Sequence, residues 1–144
     1  MKNKYPIKII VTKENKFKAA TLLEKISNSS ISIQQELIFI EIDYTALINT
    51  IKTLLAISSQ RKVDPRMFWL IGDHIIRFLD RLDEIGFYLM QQNQTLARDI
   101  GISESSTKKI ICFRRRFSKI SWVDPSISWA KYRNNKVNLT KLNT

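Results

Sequence analysis

The sequence predicts an α+β protein: a small N-terminal βαβα-like unit over residues 1–62, followed by a mainly α-helical domain, residues 63–144, containing a helix-turn-helix and a basic tail. Three observations carry this reading. Short β-branched runs alternate with segments of helical spacing before residue 60, a polar stretch ending in Asp64-Pro65 interrupts the chain, and beyond it apolar residues keep i, i+3, i+4 spacing.

In the first unit, Ile7 to Thr12 is β-branched and reads as a strand. Phe17, Ala20, Leu22, Leu23 and Ile26 recur at helical spacing, and Asn28-Ser29-Ser30 ends that helix. Ile31 to Ile33 reads as a short strand and Leu37 to Ile42 as a clearer one. Asp43 is then the expected N-cap of a helix over Tyr44 to Ser58, with Leu47, Ile51, Leu54 and Leu55 on one face. Pro65 disfavours helix at Asp64 and suits the first turn of a new one. From Arg66 to Leu82 the set Met67, Phe68, Ile71, Ile75, Phe78, Leu79 and Leu82 forms one apolar face, and Asp73, Arg77, Asp80, Arg81 and Glu84 fall largely elsewhere. Gly86 is the expected break.

The composition excludes several classes. With 44% hydrophobic and 26% charged residues in 144, wholesale disorder and collagen-like or mucin-like chains are ruled out. One cysteine, Cys112, and one histidine, His74, exclude an internal disulfide framework, a cysteine-rich zinc site and a histidine cluster. No metal or cofactor is expected. Apolar runs fall far short of the roughly 18 to 20 residues of a membrane span, and Lys8 interrupts the only candidate for a signal peptide. The expected setting is a soluble one: the cytoplasm, in association with the nucleoid, or the equivalent compartment of an organelle.

The formal net charge of +11 is not ordinary. A codon bias toward Lys would spread it evenly, but residues 1–65 carry net +4, residues 66–107 net −2, and residues 108–144 net +9. Arg114, Arg115 and Arg116 join Lys108, Lys109 and Lys119 in one short segment. Cations at a helix C-terminus favour the macrodipole by only ~0.3 to 1 kcal/mol, which does not call for three consecutive arginines. A polyanionic partner does.

The basic segment abuts the most informative spacing in the chain. In Asn93 to Ile110, Ala97 is small where two helices would cross, and Gly101, four residues later, supplies the left-handed backbone of a tight turn. Ile102 fills the space beneath, Ser103 caps the second helix, and Thr107 and Ile110 point back at Leu96 and Ile100. A helical wheel places Thr107, Ile110, Phe113 and Phe117 on one side, and Ser105, Lys108, Lys109, Cys112, Arg115 and Arg116 on the other. Such a recognition helix would bring Glu104, Ser105 and Lys109 to base edges in the major groove of double-stranded DNA. Lys108, Arg115, Arg116 and Lys119, with Gln94 and Thr95 of the preceding helix, would reach phosphates.

From Met67 to about Tyr132 the chain also resembles the N-terminal domain of bacterial YhcG-type proteins, a family of unknown function. The matching residues are Ile71-Gly72, Gly86, Leu96-Ala97 with Asp99, Ser103-x-x-Ser106, Ile110, Phe113, Phe117 and Ser128-Trp129. The resemblance implies a helix-turn-helix-like domain in DNA processing or defence, usually followed by a nuclease domain of the PD-(D/E)XK type. This sequence departs from the pattern at Ile111, where the family tends to have Arg, and at Arg114, where it tends to have an aromatic. These 144 residues leave no room for the nuclease domain, and Glu14-Asn15-Lys16 lacks the preceding Asp-bearing strand. Nuclease activity is therefore not expected here, and the protein is not expected to be an enzyme.

Other chemistry-bearing residues have simpler readings. His74 lies at the boundary of an apolar stripe with no second histidine or nucleophile in its pattern, and Asp80, Asp83 and Glu84 pair with Arg77 and Arg81 on a polar face. Lys109 and Arg116 flank Cys112, but an ordinary thiol is a better reading of it than an activated one. Trp122, Trp129 and Tyr132 either stack on bases or dock on the helices. The sequence therefore points to a DNA-binding regulator, or the DNA-targeting component of a defence or mobile-element system, acting as a homodimer or with a nuclease partner. Two alternatives remain open at this level: a protein-interaction adaptor that binds no nucleic acid, and an RNA-binding protein.

Overall fold

The computed structural model describes residues 7–11, 17–19, 31–60 and 63–137. Strand β1 (Ile7–Val11) lies between β2 (Phe17–Ala19), antiparallel to it, and β3 (Phe87–Leu89), parallel to it. Helices α1 (Ile31–Gln60), α2 (Pro65–Ile85), α3 (Gln92–Ile100), α4 (Glu104–Arg116) and the short α5 (Trp129–Arg133) complete the described elements, with a single 3₁₀ turn at Ile120–Trp122. A small α+β fold results.

Strand alternation sets which face of the sheet meets the helices. Ile9 and Val11 of β1 and Phe87 and Leu89 of β3 are buried, whereas Lys8, Ile10 and Tyr88 face outward. The register pairs Ile9 with Leu89 and Lys8 with Tyr88, so the buried and exposed residues align across strands. The inner face joins one core with Ile40, Tyr44 and Ile51 of α1, Ile71, Ile75 and Leu82 of α2, Leu96 of α3 and Ile110 of α4. This core runs on both sides of residue 63. Full burial of each such side chain contributes about 1.5 to 3 kcal/mol.

The turn chemistry expected around α2 is present. Asp64 caps it, accepting a hydrogen bond from the Arg66 N–H at 3.0 Å, Pro65 occupies the first turn, and Gly86 ends it in the left-handed region at φ 87°. Arg66 also clasps the Asp64 carboxylate and holds it below the usual carboxylate range.

Four expectations from the sequence are corrected. Ile31 to Ile33 and Leu37 to Ile42 are not strands; both lie within α1. Ile40, Tyr44, Leu47, Ile48 and Ile51 are buried at helical spacing, with Leu37 and Leu54 packed beside them, so one stripe runs through the apolar run, and burial along it overrides β-propensity. Asp43 is consequently no cap; it sits mid-helix, paired with Arg81 of α2 at 2.5 Å. Phe17 to Ala19, expected to begin a helix, instead pairs with β1, while Ala20 to Ile26, like Thr12, lies outside the described residues. Finally, β3 was not expected: three residues after a helix-ending glycine carry too little periodicity to read, and only β1 makes them a strand.

Candidate nucleic-acid interface

Helices α3 and α4 are joined by Gly101, Ile102 and Ser103, with each residue in the conformation its chemistry favours. Gly101 takes φ 90°, and the N–H groups of Gly101 and Ile102 both donate to the Ala97 carbonyl, at 2.9 and 3.1 Å. Ser103 is extended, and its Oγ accepts from the Ser106 N–H at 3.0 Å, capping α4. Leu96, Ala97, Ile100, Thr107 and Ile110 are buried where the helices meet. Thr107 donates to the Ser103 carbonyl at 3.1 Å, so its full burial leaves its hydroxyl paired.

The other side of α4 is open. Glu104, Ser105, Lys108, Lys109, Cys112 and Arg115 are exposed, as is Lys119 just beyond the helix. Gln94 is exposed on α3, and it shares with Glu104 a shallow polar groove of about 330 Å³ that also takes in Gln91, Gln92 and Asn93. Thr95 differs from its expected role: it is buried, and its hydroxyl donates to the Met90 carbonyl at 3.3 Å. It supports the start of α3 instead of facing a partner.

The three consecutive arginines have three separate placements, because successive residues step about 100° around a helix. Arg114 turns inward, donating to Asp73 at 3.0 Å with its guanidinium 4.8 Å from the Trp69 ring centre. Asp73, expected on the polar face of α2, is instead only 8% exposed, and it accepts from both Arg114 and, at 2.8 Å, Arg77. Arg115 points outward. Arg116 is half-buried and donates to the Asn135 side chain and, at 2.8 Å, to the Val137 carbonyl.

The tail that Arg116 holds is packed by aromatic rings. Trp129 stacks on Phe68 with ring centres 4.2 Å apart, and Tyr132 lies against Phe113 and Phe117 at 5.1 and 5.2 Å. The Tyr132 hydroxyl accepts from the Asp124 N–H at 2.7 Å, and the Trp69 ring N–H donates to the Phe117 carbonyl. Of the two roles open to the tail aromatics, docking on the helices is the one Trp129 and Tyr132 adopt.

Between α4 and this tail runs a groove of about 530 Å³. Ser105, Lys108, Lys109, Cys112, Phe113 and Arg116 form one side, and Tyr132, Arg133 and Asn135 the other. Arg133 and Asn135 stand outside the residues the sequence singles out for DNA contact. Their basic and polar character was legible, but not their position beside α4. The one carboxylate in the stretch from Ser105 to Val137, that of Asp124, is held below the usual range by hydrogen bonds from the Ser126 hydroxyl and N–H.

His74 is exposed beside Asp43, Arg77 and Arg81, and Asp80, Asp83 and Glu84 are exposed along α2. Among the described residues, no three His, Cys, Asp or Glu side chains group as a metal site requires, and no helix is long and apolar enough to cross a membrane. Comparison with protein-family models, with curated proteins and with solved structures finds no match to this chain.

Proposed function

We propose that the protein binds double-stranded DNA, seating the exposed face of α4 in the major groove. The observation that carries this reading is the coincidence of two features on one helix. Lys108, Lys109 and Arg115 occupy the exposed side of α4, and that same helix is the second of a pair joined by a glycine-led, serine-capped turn. A helix with its side chains is about 10 to 12 Å across, and the major groove is about 12 Å wide.

In this arrangement Glu104, Ser105 and Lys109 meet base edges: a carboxylate accepts from the cytosine amino group, a hydroxyl suits several bases, and an ammonium donates to guanine. Lys108, Arg115 and Lys119 neutralise phosphates, with Gln94 adding a neutral donor. One such helix reads few base pairs, so the protein acts as a homodimer or beside a partner such as a nuclease, in a regulatory or DNA-targeting role. The resemblance to YhcG-type proteins agrees with that role but does not carry it.

The test is binding of the purified chain to pools of duplex DNA, single-stranded DNA and structured RNA at 50 and 200 mM salt, beside a Lys108→Ala, Lys109→Ala, Arg115→Ala variant. Loss of the Lys108 and Arg115 phosphate contacts reduces the slope of log K against log salt by about two units on duplex DNA, and loss of Lys109 removes a base contact. Equal, weak binding by both proteins rejects the reading, and preference for RNA moves it to the other polyanion.

A second reading has its own observation. Ile38, Phe39 and Ile42 project from α1 at 58%, 64% and 60% exposure, which favours a protein contact on that helix. It is compatible with the first, and also with an adaptor that binds no nucleic acid.

A further inference from the structure

We infer that residues 128–137 form a second wall of the interface, and that the groove between them and α4 seats one phosphodiester strand of the duplex. The inference rests on the DNA reading above and adds Arg133 and Asn135 to it.

A helix lying in the major groove has a sugar–phosphate strand passing along each flank. On one flank of α4 the chain itself rises to form a concavity of about 530 Å³. Four cations converge there: Lys108, Lys109 and Arg116 from α4, and Arg133 from the tail. Ser105 and Asn135 add neutral donors, and none of the described residues lining the groove carries a carboxylate. Phosphodiester oxygens accept hydrogen bonds and carry charge without donating, and this lining answers both properties.

The lining also chooses between nucleic acids. Single-strand binders stack bases on open aromatic rings. The two rings bordering this groove, Phe113 and Tyr132, are 4% and 3% exposed and packed against each other, so they present no platform. The charge remains, and it suits a backbone whose bases are paired elsewhere.

The wall stands in the free protein. Ser128 caps α5 by accepting from the Lys131 N–H, Trp129 and Tyr132 anchor it in the aromatic cluster, and Arg116 ties down Asn135 and Val137. A wall already in place spares the ordering cost that a loose basic tail would incur on binding. Arg116 is thus a positioning residue for the tail as well as part of the lining.

The experiment uses the full chain and a mixed pool of short duplexes across 50 to 200 mM salt, comparing wild type with Arg133→Ala, Arg133→Lys, Lys109→Ala and Arg116→Ala. Loss of one phosphate contact makes the fall in affinity over that salt range about three- to fourfold smaller, and the loss is uniform across sequences. Arg133→Ala is expected to show this, with Arg133→Lys restoring the slope. Arg133 is exposed, so its substitution leaves the fold in place; unchanged thermal unfolding verifies that. Arg116→Ala is expected to speed amide exchange at Tyr132 to Val137 without DNA, which Arg133→Ala does not. If Lys109→Ala weakens binding while Arg133→Ala matches wild type, the second wall is overturned and the DNA reading survives. If wild type binds no duplex, both fall together.

Discussion

A Cβ added to Gly72 would lie 2.6 Å from the Cβ of Arg114 and 3.0 Å from the Ile110 carbonyl oxygen, so α2 and α4 cross at a separation only glycine permits on α2. The neighbouring Asp73 then grips the Arg114 guanidinium. Close approach and ion pair together fix the rotation of α4 and leave Arg115 outward. Gly72→Ala sets two effects against each other. Alanine is favoured in a helix by about 0.8 to 1 kcal/mol, but overpacking costs typically about 1 to 3 kcal/mol. Because the clash involves backbone as well as the root of a side chain, the larger cost applies. Chemical denaturation is expected to show a net loss of about 1 to 2 kcal/mol; a gain would mean the helices can separate freely.

The two arginines on Asp73 are not equivalent. The Arg77 side chain is 74% exposed and that of Arg114 only 20%. Arg77→Ala is expected to cost no more than about 0.5 kcal/mol, in keeping with a solvated helix pair. Arg114→Ala costs about 1 to 3 kcal/mol, because it leaves the buried carboxylate short of a donor and uncovers Trp69. Urea midpoints of the two variants check the order, and equal losses would refute it.

Alkaline pH acts on Tyr44. It is fully buried and donates to Asp99 at 2.5 Å, while Arg98 bridges Asp99 to the Val11 carbonyl. Burial first, then the hydrogen bond to Asp99, raise its pKa far above the ordinary value of about 10. The folded state therefore favours the neutral phenol. That stabilisation is complete below about pH 10 and is lost as the pH rises beyond it. Unfolding midpoints are expected to fall between about pH 10 and 12, and Tyr44→Phe to weaken the dependence while costing about 1 to 3 kcal/mol at neutral pH. The same slope in both proteins would count against this assignment.

At Gly101 an added Cβ meets nothing within 4 Å, so any cost of Gly101→Ala is backbone strain alone. At φ 90° that is about 1 to 2 kcal/mol. Ser103→Ala removes the cap on α4 at a cost of about 1 kcal/mol. Thermal unfolding reads both, and helix content of the folded protein is expected to stay the same.

In the proposed DNA-binding mode, the Glu104 carboxylate opposes phosphate binding and serves only base recognition. Glu104→Gln is therefore expected to raise affinity for random duplex DNA at low salt while altering preference at one position of a selected site. Selection from a randomised duplex pool, with wild type alongside, measures both. Weaker binding to random DNA would place Glu104 away from the interface.

The parts of this protein legible in its sequence are those whose energies are local. Asp64-Pro65, Gly86, Gly101 and Ser103 start and stop helices through hydrogen bonds and φ angles within a few residues, and each is where its chemistry directs. The pair α3 and α4, with Thr107 and Ile110 turned inward, follows from spacing alone. What only the tertiary structure decided depends on a distant surface. Leu37 to Ile42 has strand composition but becomes helix because its stripe continues to Ile51 against α2. Phe87 to Leu89 becomes strand because β1 supplies its hydrogen bonds. Arg114, Arg115 and Arg116 are one basic run in sequence. Asp73 claims the first and the tail claims the third, leaving Arg115 to solvent, because a side chain's direction is local but its partner is not.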